Sequence, residues 1–317
     1  MKSGFLMSGD RAVASFRGRT VTPLIPELVP LCFRRGGDLE YWLSRRAIDR
    51  HRTNSRILKR LLRITDTSDL NTVLRVHGAA LTDNYWVRFD GEEALTWADI
   101  AFTTDYFSDV ALRGTIDTFS GGFDRKQLSA PSPELTNTGS YEKCWKLVDG
   151  TWTLFKMGDP LSSFSEVFIC RLGRRFGFSM AEYASRNGCV ISPDFTAGQV
   201  NYEPIDNLVY ENQDYSDNFD ALRELKPGLE NEYLDILFMD ALVLNVDRHT
   251  QNYGVLRDRA TGDVISMAPN FDNNMALLSL GYADDPAAVV NRSSTIFFSC
   301  CGKRRSTILS PLCRKRT

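Results

Sequence analysis

The chain has 317 residues, a length that allows two domains or two lobes with separate hydrophobic cores. Hydrophobic residues make up 43% and charged residues 25%, and the net charge of −2 argues against a general polyanion-binding protein. The seven cysteines lack C-x-x-C spacing and the three histidines lack a ligand spacing, so neither a disulfide scaffold nor a zinc site is expected. Without a signal segment or a run of roughly 20 apolar residues, we expect a cytoplasmic protein with no membrane span.

Residues 1–115 are predicted to form an accessory region of unknown role. The patterns indicate a helix over Leu39–Ser44, a helix capped by Thr53–Ser55 and a strand over Tyr85–Phe89. Basic side chains cluster around the second helix: Arg45, Arg46, Arg50, Arg52, Arg56, Lys59, Arg60 and Arg63. They have the charge to contact nucleic acid phosphates, but a solvated helix face is the simpler interpretation.

Two glycine-bearing loops compete for the role of a phosphate cradle. The two glycines of Ser120–Phe123 predict flexibility, but the segment that follows is polar and broken by proline, so a connecting loop is expected there. Thr136–Ser140 is followed by strands over Cys144–Val148 and Thr151–Met157, which are joined by an Asp-Gly turn. A strand-loop-strand hairpin can bring backbone N–H groups over a triphosphate, so the second loop is the better candidate.

A lysine and a glutamate follow the hairpin. Lys156 ends a strand that is otherwise apolar, so its ammonium group either reaches water or points inward toward a partner. Glu166 is predicted in the first turn of a helix that opens at Ser163, where a carboxylate also suits the helix dipole. In protein kinases, a Lys–Glu ion pair of this kind positions the α- and β-phosphates.

Further along, short strands over Phe178–Ala184 and Gly188–Ser192 are expected to complete a small antiparallel sheet. Residues 193–228 are expected to be loops with one helix near Asn218–Leu225. A buried helix is then predicted from Glu230 to Leu244, because apolar residues recur there at helical spacing.

The buried helix leads to a run of polar residues with recognisable chemistry. Asn252 lies five positions after Asp247. A hairpin is predicted next, formed by Tyr253–Leu256 and Val264–Met267, and it would return the chain so that Asp272 comes close to Asn252. Phosphoryl transfer from Mg-ATP requires a carboxylate beside the attacking hydroxyl and hard oxygen ligands for the metal. Individually, each residue also suits a helix end or an Asx-rich turn, but their joint order is that of a kinase.

The motifs Asp247-Arg248-His249-Thr250-Gln251-Asn252 and Asn270-Phe271-Asp272-Asn273 resemble those of the HipA family of bacterial serine/threonine kinases and its smaller relatives of the CtkA type. The loop Thr138-Gly139-Ser140-Tyr141-Glu142-Lys143 is similar to the phosphate loop of that family. This resemblance implies a bilobal protein-kinase-like α+β fold with a small antiparallel-sheet N-lobe and a mostly helical C-lobe.

The resemblance also implies roles for individual residues. Asp247 would be the catalytic base, Asn252 and Asp272 would bind Mg²⁺, and Lys156 with Glu166 would bind the phosphates of ATP. Val190 to Ser192 would lie near the adenine, His249 matches the histidine of the family motif, and Thr136 occupies the position of an autophosphorylated serine. The expected acceptor is a Ser or Thr hydroxyl of a protein, and a nucleic acid partner is not expected. A nucleotide-binding pseudokinase and a kinase for small-molecule or lipid hydroxyls are the alternatives.

On this basis the chain divides into the accessory region at 1–115, an N-lobe at 116–192, a C-lobe at 193–299 and a basic tail at 300–317. The tail, which contains Cys300-Cys301 and ends in Arg314-Lys315-Arg316-Thr317, lacks apolar periodicity. It is either truncated or frame-altered relative to its relatives, which we favour, or a disordered basic arm.

Overall fold

The computed structural model describes residues 3–65, 68–115, 127 and 129–280. The predicted loop at Ser120–Phe123 and the basic tail at 300–317 therefore lie outside the described residues. The chain divides into two compact units. The described parts of the first come from Met1–Gly158, Glu182–Glu203 and Leu256–Ile265; those of the second come from Asp159–Ala181, Pro204–Val255 and Ser266–Thr317.

The first unit begins with an antiparallel sheet that the sequence patterns largely missed. Its strands are β1 (Ser3–Ser8), β2 (Arg11–Arg17), β3 (Thr20–Pro23) and β4 (Tyr85–Phe89), in the order β3-β2-β1-β4. Only β4 was predicted. Successive side chains of a strand point to opposite faces, and both faces are buried here, with Leu6 in one core cluster and Met7 in another. The strict alternation of polar and apolar residues is therefore lost.

Six short helices accompany this sheet in the described part of the unit: α1 (Leu31–Arg34), α2 (Leu39–Ser44), α3 (Thr53–Leu61), α4 (Asp69–Leu74), α5 (Trp97–Ile100) and α6 (Ser108–Arg113). The predicted helix α2 is confirmed, and Asp38 caps it by accepting a hydrogen bond from the Tyr41 N–H. The predicted cap of α3 is wrong, because the N-cap residue is Arg52 and no side chain caps that end.

A second antiparallel sheet contains the predicted hairpin. Its strands are β5 (Lys143–Val148), β6 (Thr151–Lys156), β7 (Ala184–Arg186) and β8 (Cys189–Pro193), in the order β5-β6-β8-β7. Asp149 and Gly150 both have positive φ, as a type I′ turn requires. A 3-10 helix, Pro133–Thr136, precedes the hairpin. The predicted strand over Phe178–Ala184 is wrong, since Phe178 and Met180 pack on a helical core instead.

The second unit is mostly helical, with α7 (Pro160–Phe176), α8 (Asp206–Val209), α9 (Tyr215–Leu225), α10 (Leu229–Val243) and a 3-10 helix at Leu277–Leu280. Helix α7 begins at Pro160, where Asp159 caps the N–H groups of the first turn. Glu166 therefore lies in the second turn, and its predicted place in the first turn is wrong. The predicted helices α9 and α10 are confirmed.

The remaining strands are β9 (Val200–Pro204), β10 (Gly254–Asp258) and β11 (Val264–Met267), with the order β11-β10-β9. Strands β10 and β11 match the predicted hairpin, whereas β9 and α8 lie in a stretch that was expected to be loop. The chain is thus a mixed α and β structure with antiparallel sheets, as predicted. Within the described residues, no helix combines the length and the apolar character needed to cross a bilayer.

Candidate active site

The loop from Asp247 to Asn252 follows the buried helix α10 in the second unit. Helix α10 ends at Val243, and the next residue, Leu244, has the left-handed φ of 56° that turns the chain. Hydrogen bonds close the loop: the Asn252 side-chain amide donates to the Asp247 carbonyl at 2.9 Å, and the His249 N–H donates to the same carbonyl at 3.0 Å. Asp247 and Asn252 therefore lie at the two ends of one compact turn.

The second acidic segment, Asn270–Asn274, belongs to the same unit. Asp272 is partly buried and has a φ of 57°, a left-handed conformation that Asp adopts more readily than most residues. Such a conformation costs about 1–3 kcal/mol and persists where surrounding contacts fix the backbone. The contacts here include a hydrogen bond between the Asn273 side-chain amide and the Asn270 Oδ1, at 3.0 Å.

Arg248 joins the two segments. Its fully buried guanidinium group pairs with Asp240 of helix α10, at 2.8 Å from Nε to Oδ2. It also donates to the Phe271 carbonyl at 2.8 Å, to the Asn270 and Asn273 side-chain oxygens at 2.9 and 3.0 Å, and to the Asn252 carbonyl. One side chain thereby fixes the loop that carries Asp247 and the loop that carries Asp272.

The guanidinium group of Arg248 keeps its positive charge in this buried position. Burial lowers the pKa of the guanidinium, but the Asp240 carboxylate and the charge of Asp272 outweigh it and raise the pKa above its ordinary value. The sequence patterns predicted no role for Arg248 or Asp240. A signal was present, because Asp240 is the only charged residue in the apolar second half of helix α10, residues 236–243, and a buried charged group requires a partner.

The candidate metal ligands have suitable chemistry for Mg²⁺. Asn252 and Asp272 offer amide and carboxylate oxygens, the hard ligands that Mg²⁺ prefers. In addition, the side chain of Asn274 is buried without a hydrogen-bond partner among the described residues. Unsatisfied buried amides of this kind often mark a place for bound water or an ion. No cluster of three His, Cys, Asp or Glu side chains suited to a metal is present in the described part of the chain. Carboxylate and amide oxygens fit Mg²⁺ better than a transition metal, for which nitrogen and sulfur ligands are typical.

The candidate phosphate loop lies in the first unit. Thr138, Gly139 and Ser140 are exposed, while Tyr141, Glu142 and Lys143 are partly buried. Gly139 has a φ of 93°, and a Cβ atom at this position would lie 2.5 Å from the Lys143 Nζ. The backbone conformation favours glycine at this point of the loop, whereas the flexible end of Lys143 could move aside for a Cβ atom.

Lys156 lies beside this loop in the same unit. It is buried, with its Nζ 5.0 Å from the centre of the Tyr141 ring, so the inward orientation considered above is the one observed. Its backbone pairs with Val190 in strand β8, where Ser192 pairs with Leu154. The sheet thus brings together Lys156, the predicted phosphate loop and the predicted adenine-side residues.

Two further candidate residues lie in the second unit. Glu166 is buried on helix α7, and its pairing with Lys156 stays a prediction. His249 is partly buried, and its Nδ1 accepts a hydrogen bond from the Gln251 N–H at 3.3 Å. This bond helps to shape the turn between Asp247 and Asn252.

Comparison with known proteins supports a shared fold. No protein-family model matches the chain, and no curated protein matches its sequence. The chain is similar in structure to HipA of Shewanella oneidensis MR-1, solved as part of a toxin-antitoxin complex with HipB and operator DNA. That alignment covers 94% of this chain and 84% of HipA, with 14% identity and a TM-score of 0.58.

A second structural neighbour is the Helicobacter pylori proinflammatory kinase CtkA, with 22% identity and a TM-score of 0.41. The match covers 44% of this chain and 57% of the CtkA chain, so it spans little more than half of CtkA. The match to HipA covers more of both chains and shows that this protein and HipA share a fold.

Proposed function

We propose that this protein is an ATP- and Mg²⁺-dependent phosphotransferase that transfers the γ-phosphate to Ser or Thr hydroxyls of a protein. The observation that carries the proposal is the joint fixation of Asp247, Asn252 and Asp272 around the buried Arg248. These are the residue types, in the chain order, that kinase chemistry requires. The fold shared with HipA and the resemblance of the motifs to the HipA family support it further.

In this proposal, Asp247 orients the acceptor hydroxyl and takes its proton as the hydroxyl oxygen bonds to the γ-phosphorus and ADP leaves. Asn252 and Asp272 hold Mg²⁺, which neutralises charge on the triphosphate when bound. Because the ligands are fixed in advance by Arg248, catalysis rests on positioning and on charge neutralisation.

The bilobal arrangement implied by the resemblance belongs to this proposal. Residues 116–192 would form the N-lobe and 193–299 the C-lobe, with 1–115 as the accessory region and 300–317 as the tail. Lys156 and Glu166 would bind the phosphates together with the loop at 138–143, and Val190 to Ser192 would lie near the adenine. The burial of Lys156 next to Tyr141 supports its part in this arrangement.

We also propose autophosphorylation at Thr136. Its hydroxyl is buried and donates to the Ala79 carbonyl at 2.8 Å. A phosphate group on this oxygen would remove the donor and add a charge that needs solvation, so the modified residue would have to leave its buried place. Modification would therefore disturb the phosphate loop that follows and reduce activity.

The partners of HipA are not transferred to this chain. The Shewanella structure contains HipB and operator DNA, whereas the net charge of −2 here does not favour nucleic acid binding. We propose a protein substrate and no nucleic acid contact of the chain on its own.

The proposal is tested by incubating the purified protein with labelled ATP, Mg²⁺ and host lysate, followed by mass spectrometry of all phosphorylated species. We expect phosphate on Ser or Thr of at least one protein. Measured ATP binding without transfer would instead support a non-catalytic nucleotide-binding module. Label on a small molecule or lipid would keep the chemistry and change the acceptor class.

A further inference from the structure

Arg52, a member of the basic cluster, binds the candidate phosphate loop. The side chain is 2% exposed, although it belongs to the cluster that the sequence pattern favoured as a solvated face. Its Nε donates to the Gly139 carbonyl at 2.6 Å, and its terminal nitrogens donate to the carbonyls of Asn137, Thr138 (2.9 Å) and Lys143 (3.4 Å). A planar guanidinium with five donors is suited to hold several carbonyls at once.

The geometry of the peptide bonds determines the direction in which the N–H groups of this loop point. In a trans peptide the C=O of one residue and the N–H of the next point in opposite directions, and no cis peptide is present among the described residues. With the carbonyls of residues 137, 138 and 139 turned toward Arg52, the N–H groups of Thr138, Gly139 and Ser140 point away from it. All three residues are exposed, and their N–H groups donate to no described residue.

Three consecutive amide N–H groups directed to one side form an anion-binding concavity. Their partial positive charges attract an oxyanion, and the left-handed Gly139 allows the backbone to curve around it. The chemical class that this concavity fits is a phosphate or polyphosphate.

Carboxylates around Arg52 support the same conformation. Glu134 is buried and accepts hydrogen bonds from the Asn137 side chain at 3.0 Å and from the Trp145 N–H at 2.8 Å. Glu142 accepts from the Asn54 N–H at 3.1 Å. Burial lowers the pKa of Arg52 to about 10, with Glu134 and Glu142 opposing this effect, so the guanidinium stays charged at neutral pH.

We propose that Arg52, contributed by the N-terminal accessory region, is a positioning residue that holds the loop at 137–143 with its amides directed toward the phosphates of the nucleotide. This inference rests on the proposed function and deepens it. Residues 1–115 then supply part of the phosphate-binding machinery.

The test uses the full chain and two measurements. Hydrogen exchange of the peptide that covers 137–143 reports the loop itself, and Mg-ATP affinity reports its use. Arg52→Met removes the donors, Arg52→Lys restores a charge without the planar fork, and Arg56→Met, an exposed neighbour, is the matched control.

For Arg52→Met we expect the Kd for Mg-ATP to rise by about tenfold or more, since several charge-assisted hydrogen bonds are lost. Within the loop, the Asn137 N–H, which donates to the Glu134 carbonyl, should exchange faster. Arg52→Lys should recover part of both effects, while exchange in β1 and β4 and the behaviour of Arg56→Met should match wild type. Unchanged loop exchange and unchanged Kd in Arg52→Met would overturn the proposal.

Exchange of the wild-type chain with and without inorganic tripolyphosphate needs no variant and no turnover. We expect protection of the amides at 138–140, and lack of protection would overturn the anion-binding role even if the Arg52 variants fail to fold. If the loop behaves as expected but no transfer occurs, the proposed function fails and the role of Arg52 stands.

Discussion

Arg248 and Asp240 form a buried, bidentate ion pair, with 2.8 Å from Nε to Oδ2 and 2.9 Å from a terminal nitrogen to Oδ1. The pair anchors the loops that carry Asp247 and Asp272 to the long helix α10. Because both side chains are removed from water, each charge depends on the other for compensation.

Arg248→Met should therefore destabilise the fold strongly. The change leaves the Asp240 carboxylate buried without its cation, and a loss of about 3–5 kcal/mol in the free energy of unfolding is expected. Urea denaturation measures this loss. The control is Arg223→Met, which removes the exposed pair of Arg223 with Asp220 and should cost less than about 1 kcal/mol. Equal, small losses in both variants would contradict the anchoring role.

Lys156→Met should weaken phosphate transfer while leaving the sheet folded. The buried ammonium group next to Tyr141 is proposed to hold the phosphates of ATP, and loss of one such charge typically reduces turnover by about 100-fold or more. Steady-state assays with labelled ATP measure the effect. Lys146→Met provides the control on the same sheet, because Lys146 pairs with Asp109 and has no proposed role in binding. If both variants lost activity equally, the assignment of Lys156 would be wrong.

The elements that could be predicted from the sequence are those whose signal comes from residues close together in the chain. The β5–β6 hairpin carries an Asp-Gly turn, and helix α10 repeats apolar residues at helical spacing. Strand β9 was missed because its inward positions are polar. Asn201 and Glu203 are almost fully buried, and Glu203 pairs with Arg257, so hydrophobic periodicity gives no signal there.

The site was predicted only in part for a related reason. Asp247, Asn252 and Asp272 stand out by residue type and spacing, but the residues that position them are identified by their partners. Arg248 contacts Asn270 across 22 positions and Arg52 contacts Gly139 across 87, and no local pattern encodes such contacts. The start of α7 was misplaced because the Asp159 cap and Pro160 at the first helical position were overlooked.

The free energy of unfolding should decrease as the pH rises, and part of this decrease should depend on Glu134. Burial raises the pKa of this carboxyl from 4.5 to about 7, against the hydrogen bonds from Asn137 and Trp145. At a pH between these two pKa values, the native state keeps a proton on Glu134 that the unfolded chain has released. The stabilisation that this proton provides is lost as the pH rises through 7.

From pH 5 to pH 8, the free energy of unfolding of the wild type should fall by about 2–3 kcal/mol more than that of Glu134→Gln. Urea denaturation at both pH values measures the difference. Glu93→Gln serves as control, because Glu93 is exposed and the Gly91 N–H lowers its pKa, so it titrates below this range. Parallel pH dependence in wild type and Glu134→Gln would contradict the prediction.

Thr136→Val should abolish self-modification. Incubation of the wild type with Mg-ATP is expected to yield a phosphopeptide that contains Thr136, together with declining activity. Valine keeps the shape of threonine and removes the acceptor oxygen, so the variant should retain its activity during incubation. The exposed Thr151, at the hairpin turn, has no proposed role and provides the control variant Thr151→Val. Phosphate that persists in Thr136→Val would contradict this prediction.

The proposed kinase activity is tested most directly by the rate of phosphate transfer from labelled ATP by Asp247→Asn, compared with wild type and with Asp263→Asn. Asp263 is exposed next to strand β11 and has no proposed role, so its variant should behave as wild type. Loss of the base should reduce transfer by about 100-fold or more while thermal unfolding stays unchanged. Near wild-type transfer by a folded Asp247→Asn protein would contradict the assignment of Asp247 as the catalytic base.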